Sequence, residues 1–178
     1  METVRRNVAD QFSHMSTTDV VEFLNQRRHP YTVVMENFES DFNFASLVRN
    51  ANAFLASEVF YVGPRRWDRR GAVGTHLYTK VTHLTSMAEL GEHVYGPVVA
   101  FDNVAGAEDV NTFSWPKNAV MLFGSESNGL CAETLALADH VVHIPQYGSV
   151  RSINAAAASA VAMNSWCAQH GQSDGQDS

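Results

Sequence analysis

The sequence predicts an α/β fold, a mostly parallel sheet flanked by helices, on three observations. Short apolar, β-branched runs recur at 31–35, 59–62, 98–101, 119–123 and 141–144. Helical patterns lie between several of them, and one long alanine-rich segment closes the ordered part of the chain. Strands that alternate with helices are joined by crossovers, which parallel pairing requires. No internal repeat interrupts the pattern.

Residues 1–30 read as a polar arm with some helical character, in which Val20, Val21, Phe23 and Leu24 form a short apolar face that Pro30 closes. The main domain is expected over 31–168. Its first helix shows a buried stripe at Phe44, Leu47, Val48, Ala51 and Phe54 or Leu55, spaced i, i+3, i+4, i+7. Asp41 is the expected N-cap. Arg49 falls outside the stripe, between the small residues Ala45 and Ala53, where another surface can approach the guanidinium.

Two strands run out into glycine-bearing loops, Phe123-Gly124-Ser125-Glu126 leading to Asn128-Gly129-Leu130, and Ile144-Pro145-Gln146-Tyr147-Gly148. Glycine permits positive φ and a close approach of ligand to backbone, and Pro145 ends ladder pairing. Ligands of open α/β sheets sit at the carboxyl ends of strands, so these exits are expected to border a pocket. The last helix is predicted from near Ser152 through Ala155, Ala156, Ala157, Ala158, Ala160 and Ala162, a surface with almost no bulk that packs closely. The tail, 169–178, has no apolar residue after Gly171 and is expected to be disordered.

The 178 residues suffice for one domain with a sizeable core, and 45% hydrophobic with 17% charged residues is a globular composition. No apolar run approaches the roughly 18 residues that span a bilayer, so no membrane association is expected. The start of the chain shows no secretory signal, and Cys131 and Cys167 form no CxxC pair, which makes a cytoplasmic setting the expectation. A net charge of −7 opposes polyanion binding, yet four of the twelve basic residues, Arg65, Arg66, Arg69 and Arg70, crowd around Trp67 in one loop. His140 and His143 sit i, i+3 on a strand and point to opposite faces, so no metal site is expected. Gly124 and Gly129 fit neither a Walker nor a GxGxxG pattern.

Three segments taken together are more specific than any one. Asn43-Phe44-Ala45-Ser46-Leu47-Val48-Arg49, then Leu122-Phe123-Gly124-Ser125-Glu126-Ser127-Asn128-Gly129-Leu130, then Ile144-Pro145-Gln146-Tyr147-Gly148 with Ser152-Ile153-Asn154, resemble the three motifs of SpoU-type (TrmH-like) RNA ribose 2′-O-methyltransferases of the SPOUT superfamily. The resemblance covers about 31–167. It implies a C-terminal deep trefoil knot, a homodimer with the active site completed at the interface, and S-adenosyl-L-methionine as cofactor. By the same resemblance Asn43, Arg49, Glu126, Ser152 and Asn154 are the catalytic set, and Leu122, Gly124, Ile144, Gln146, Ser152 and Ile153 bind the cofactor. Arg65, Arg66, Arg69 and Arg70 then match a loop that contacts RNA. Val48 and Asn50 stand where many relatives have a small residue and Thr, and Gln146 stands where Met is frequent.

The resemblance thus implies methylation of a ribose 2′-hydroxyl in RNA. tRNA is the preferred substrate, since no separate N-terminal RNA-binding domain accompanies the catalytic one; rRNA is the alternative. Guanidinium holds its proton with a pKa above about 12, which suits Arg49 to binding phosphate and stabilising an alkoxide rather than to acting as a base. Two rivals from other classes are a non-catalytic RNA-binding protein that keeps the fold, and a small-molecule-binding α/β protein, which the acidic balance favours.

Overall fold

The computed structural model describes residues 8–171. The first seven residues of the arm and the tail beyond Gly171 lie outside them, whereas Gln169 and His170, expected in the disordered tail, end the last helix because both hydrogen-bond to the loop at 113–115. Seven strands, β1 (Thr32–Glu36), β2 (Val59–Val62), β3 (Val81–Leu84), β4 (Val98–Phe101), β5 (Glu108–Asp109), β6 (Val120–Phe123) and β7 (His140–His143), form one sheet in the order β3-β2-β1-β6-β4-β7-β5. Every ladder among them is parallel. β1 lies at the middle, with Val33 opposite Val59 on one side and Met121 on the other.

Two strands escaped the sequence reading. β3 is Val-Thr-His-Leu at the sheet edge, where only Leu84 is buried, and β5 is two acidic residues. Neither carries an apolar run, because both lie at the sheet edges and are only partly covered.

Five helices flank the sheet: α1 (Thr17–Asn25), α2 (Asp41–Ala53), α3 (Leu90–His93), α4 (Ala132–Leu135) and α5 (Ala155–His170). α1 begins in a capping box, the Ser16 hydroxyl accepting from the Asp19 N–H and the Asp19 carboxylate accepting in return. Asp41 is the first residue of α2, and Ser40 holds the cap position that the sequence assigned to Asp41. α5 begins at Ala155, three residues later than expected, because the Asn154 side chain caps it by accepting from the Ala156 and Ala157 N–H groups.

One face of the sheet carries α2 and α5. Val33, Met35, Tyr61, Met121 and Phe123 meet Phe44, Leu47, Val48 and Ala51 of α2 and Ala162, Met163 and Trp166 of α5 there. The other face packs Val34, Phe60, Val62, Ala100 and Leu122 under Leu90 and Leu130. Small residues let α2 and α5 come together: Asn50 donates to the Ala156 carbonyl (2.8 Å) and the Ser159 hydroxyl (3.2 Å). Ala45 does the same for the loop after β2, since a methyl on Gly71 would lie 2.9 Å from the Ala45 Cβ.

The carboxyl-terminal half of α5 is clamped by the loop after β5. The Trp166 indole donates to the Pro116 carbonyl (3.0 Å), Gln169 to that of Phe113 (2.7 Å), and the Trp115 indole to the Ser165 hydroxyl (2.9 Å). Trp166 is 1% exposed and packs its ring 4.6 Å from Tyr31. Replacing Trp166 with Ala removes the largest buried side chain and is expected to cost about 3–5 kcal/mol, read as a lower urea midpoint.

Candidate active site

The sheet reverses direction at its centre: the chain leaves β1 toward β2 and β3, then crosses to β4 on the far side of β6. A crevice opens at the carboxyl ends of strands where order reverses, which is the usual place for a ligand in such sheets. Here it is a cleft of about 530 Å³, floored by Phe101, Phe123 and Val142 and walled by the loops that follow β4, β6 and β7. The turn into α5 closes it with Arg151, Ser152, Ile153 and Asn154.

Most of the residues singled out in the sequence meet around this cleft. Asn43, Gly124, Glu126, Ile144, Gln146, Ser152, Ile153 and Asn154 all line it. Two do not. Leu122 is fully buried in the core on the opposite face of the sheet, because β-strand side chains alternate and its neighbour Phe123 takes the cleft side. Arg49 is exposed on α2, outside the stripe and outside the cleft of its own chain.

Three remote segments are joined by one run of hydrogen bonds. The Glu126 carboxylate accepts from the Glu39 N–H (2.8 Å), the Ser40 N–H (3.2 Å) and the Asn43 amide (2.6 Å). The Asn43 side-chain oxygen Oδ1 in turn accepts from the Asn154 side-chain amide (2.6 Å), and the Asn154 Oδ1 caps α5. Burial pushes the Glu126 carboxyl up, but the donors from Glu39, Asn43 and Ser40 outweigh it and hold the group below the ordinary carboxylate range. With three donors on it, this carboxylate fastens the site.

Gly124 is required for a reason other than ligand approach. Its φ is not positive, and an added Cβ would sit 2.1 Å from the Gly129 carbonyl carbon. The β6 exit folds back as a tight bridge, Ser125 and Gly129 exchanging two hydrogen bonds of 3.0 Å, with Gly129 at φ +65°. That fold projects Glu126 toward α2.

Gln146 presents a polar atom that the protein does not satisfy. Its Oε1 is buried with no hydrogen-bond partner, on the wall of the cleft. An acceptor of that kind is costly unless a donor from a ligand meets it. Asp102, Asn103 and His143 also line the cleft and were missed in the sequence. The signal that finds them is positional, since each lies at the carboxyl end of β4 or β7. His140, by contrast, puts Nδ1 3.0 Å from Glu108 Oε1, and no group of three or more metal-type side chains occurs among the described residues.

The basic loop is divided. Arg70 is bound to Asp68 through a salt bridge and a 2.7 Å hydrogen bond, within its own turn. Arg65, Arg66 and Arg69 make no salt bridge among the described residues and line a second concavity with Trp67.

The fold is shared with solved SpoU methyltransferases. The SpoU methyltransferase AviRb from Streptomyces viridochromogenes, crystallised with AdoMet, superposes with a TM-score of 0.72 at 24% identity, over 80% of this chain and 58% of that one. The model of the SpoU rRNA Methylase family matches residues 30–164, and the chain belongs to that family. It is 29% identical over 148 residues to the tRNA (guanosine(18)-2′-O)-methyltransferase of Escherichia coli, and 29% identical over 152 residues to that of Thermus thermophilus. Each match takes in 80% of this chain; it spans 65% of the first relative, just under two thirds, and 76% of the second.

Glu126→Ala strips the acceptor from two backbone N–H groups and the Asn43 amide, and is expected to cost about 1–3 kcal/mol in denaturant unfolding. A carboxyl held low in the folded state stabilises fully above its unfolded value, ordinarily 4.5, and stops doing so as pH falls through the folded one. Wild type is therefore expected to lose stability on acidification below about pH 4.5, and the Ala variant to lose less.

Proposed function

We propose that this protein is an S-adenosyl-L-methionine-dependent RNA methyltransferase that modifies a ribose 2′-hydroxyl, with tRNA as substrate. The observation that carries the reading is the Glu126–Asn43–Asn154 run, which brings one residue from each of the three family motifs to one cleft. The tRNA assignment follows the two relatives above, both tRNA enzymes by description.

The cleft suits the cofactor. Gln146 Oε1 offers the unsatisfied acceptor that an adenine amino group fits, Ile144 and Ile153 supply apolar wall, and Gly124, Gln146 and Ser152 give main-chain groups at the strand exits. Bound there, S-adenosyl-L-methionine supplies an activated methyl on a sulfonium. The protein's own part is to hold the ribose oxygen in line, a positioning effect that reaches about 7–11 kcal/mol in the best intramolecular cases. Asn43 and Asn154 fix the α5 turn that carries Ser152, and the amino end of α5 adds positive potential where an alkoxide develops.

A homodimer completes the site in this reading. Phe42 (64% exposed), Val161 (39%) and Ile153 (36%) leave apolar surface on α2, on α5 and at the cleft mouth, and Arg49 stands on α2 with no cleft of its own to face. Arg49 then grips RNA phosphate bidentately beside the partner's bound substrate. The C-terminal segment, clamped at both ends of α5, is threaded as a trefoil knot. The free thiols of Cys131 and Cys167 suit a reducing, cytoplasmic setting.

The test is methyl transfer from labelled cofactor to tRNA transcripts, with alkali-resistant linkages marking ribose products. Arg49→Ala is expected to lower turnover about 10²–10³-fold while leaving cofactor affinity unchanged. Mixing Arg49→Ala with Asn154→Ala subunits is expected to restore part of the activity. No cofactor binding and no methyl incorporation into tRNA or rRNA would overturn the proposal.

A further inference from the structure

Beyond the cleft, the described residues enclose a second concavity of about 520 Å³, on the face of the sheet that carries α2. That is within the size range of small-ligand sites, roughly 300–1,000 Å³. Tyr61, Arg65, Arg66, Trp67, Arg69 and His76 line it. The loop is anchored at its start by the Tyr61 hydroxyl, which donates to the Arg65 carbonyl (3.1 Å), and at its middle by Trp67, whose edge meets the Phe44 ring at 4.9 Å.

Charge and polarity in it are unbalanced in a specific way. Asp68, the one carboxylate of this loop, is taken by Arg70, so the three guanidinium groups that line the concavity remain uncompensated among the described residues. His76 is the second anomaly: its Nδ1 is buried with no hydrogen-bond partner. Burial and the Arg69 charge both lower its pKa, so the ring is neutral at pH 7 and offers one donor and one acceptor. The ring lies edge-on to Trp67, centroids 6.2 Å apart, and the Arg69 guanidinium is 5.9 Å from the Trp67 ring centre.

A simple anion needs the arginines alone. A nucleotide needs all of it: phosphate for forked guanidinium groups, a flat base for an aromatic and guanidinium neighbourhood, and a base edge for a neutral imidazole. We propose that this concavity takes one unpaired nucleotide of the substrate RNA, its phosphate on Arg65, Arg66 and Arg69 and its base edge on His76 beside Trp67. The base must leave its helical stack to enter, which selects a loop or bulge over a continuous duplex. The inference rests on the RNA reading above and adds a second point of recognition, separate from the methyl-transfer cleft.

Side-chain NMR of the full chain tests it, with His76, Trp67 and the Gln146 amide as reporters. Guanosine 5′-monophosphate is expected to shift His76 and Trp67 saturably, at least about tenfold more tightly than inorganic phosphate or guanosine alone. Arg65→Ala with Arg69→Ala abolishes that gain, whereas Arg27→Ala, just after α1 and outside the concavity, keeps it. A tRNA transcript must move the same signals and displace the mononucleotide. Equal affinity for phosphate and nucleotide would leave only an anion site, and failure of tRNA to compete would leave a free-nucleotide site; either overturns the proposal. S-Adenosylhomocysteine, read at Gln146, separates the two layers. If it binds while the nucleotide does not, this inference alone falls; if it too fails, the methyltransferase reading falls with it.

Discussion

Everything in the site depends on one carboxylate. Glu126 reaches from the β6 exit to the start of α2 and holds Asn43, which holds Asn154, which starts α5. These bonds close loops of 87, 83 and 111 residues. The entropy of closing such loops is met by the sheet and its two helix layers, which bring the ends together whether or not the polar run forms. What the run adds is orientation. The short links of 2.6 Å leave little freedom to the amides, so the cleft wall is set before any ligand arrives.

The fold explains why that carboxylate can be there. A glycine at 124 and a positive φ at 129 let the chain reverse within five residues, and the reversal aims Glu126 across the carboxyl end of β1. The core is indifferent to this detail, since Phe123 and Leu122 pack either side of the sheet just upstream. Site and core are therefore separable here: the strands deliver the loops, and polar contacts between loops do the arranging.

Much of this was legible in the sequence, for identifiable reasons. The five inner strands announce themselves because both faces are covered and their central residues are apolar; β3 and β5 are edge strands and leave no such trace. The α2 stripe was readable from its spacing, and Phe44, Leu47, Val48 and Ala51 are all buried. Helix starts were displaced by one to three residues, because Ser40 and Asn154 are set by tertiary partners that periodicity does not encode. Asn43, Glu126 and Asn154 were reachable through the family's motifs, but the order in which they hold one another was not. Asn50 illustrates the difference: unusual for its position in the motif, it ties α2 to α5 through Ala156 and Ser159. Leu122 illustrates the reverse, a motif residue whose side chain the strand turns away.

The clamp on α5 has a temporal consequence. Among the described residues the helix is the last element in chain order, its amino end completes the wall around Ser152, and its far end is gripped by the segment around Trp115. A ribosome-bound chain that stops at β7 already owns the entire sheet, yet has neither the cap nor the wall. Competence therefore arrives after the sheet is complete, when α5 emerges and seats itself against a preassembled body.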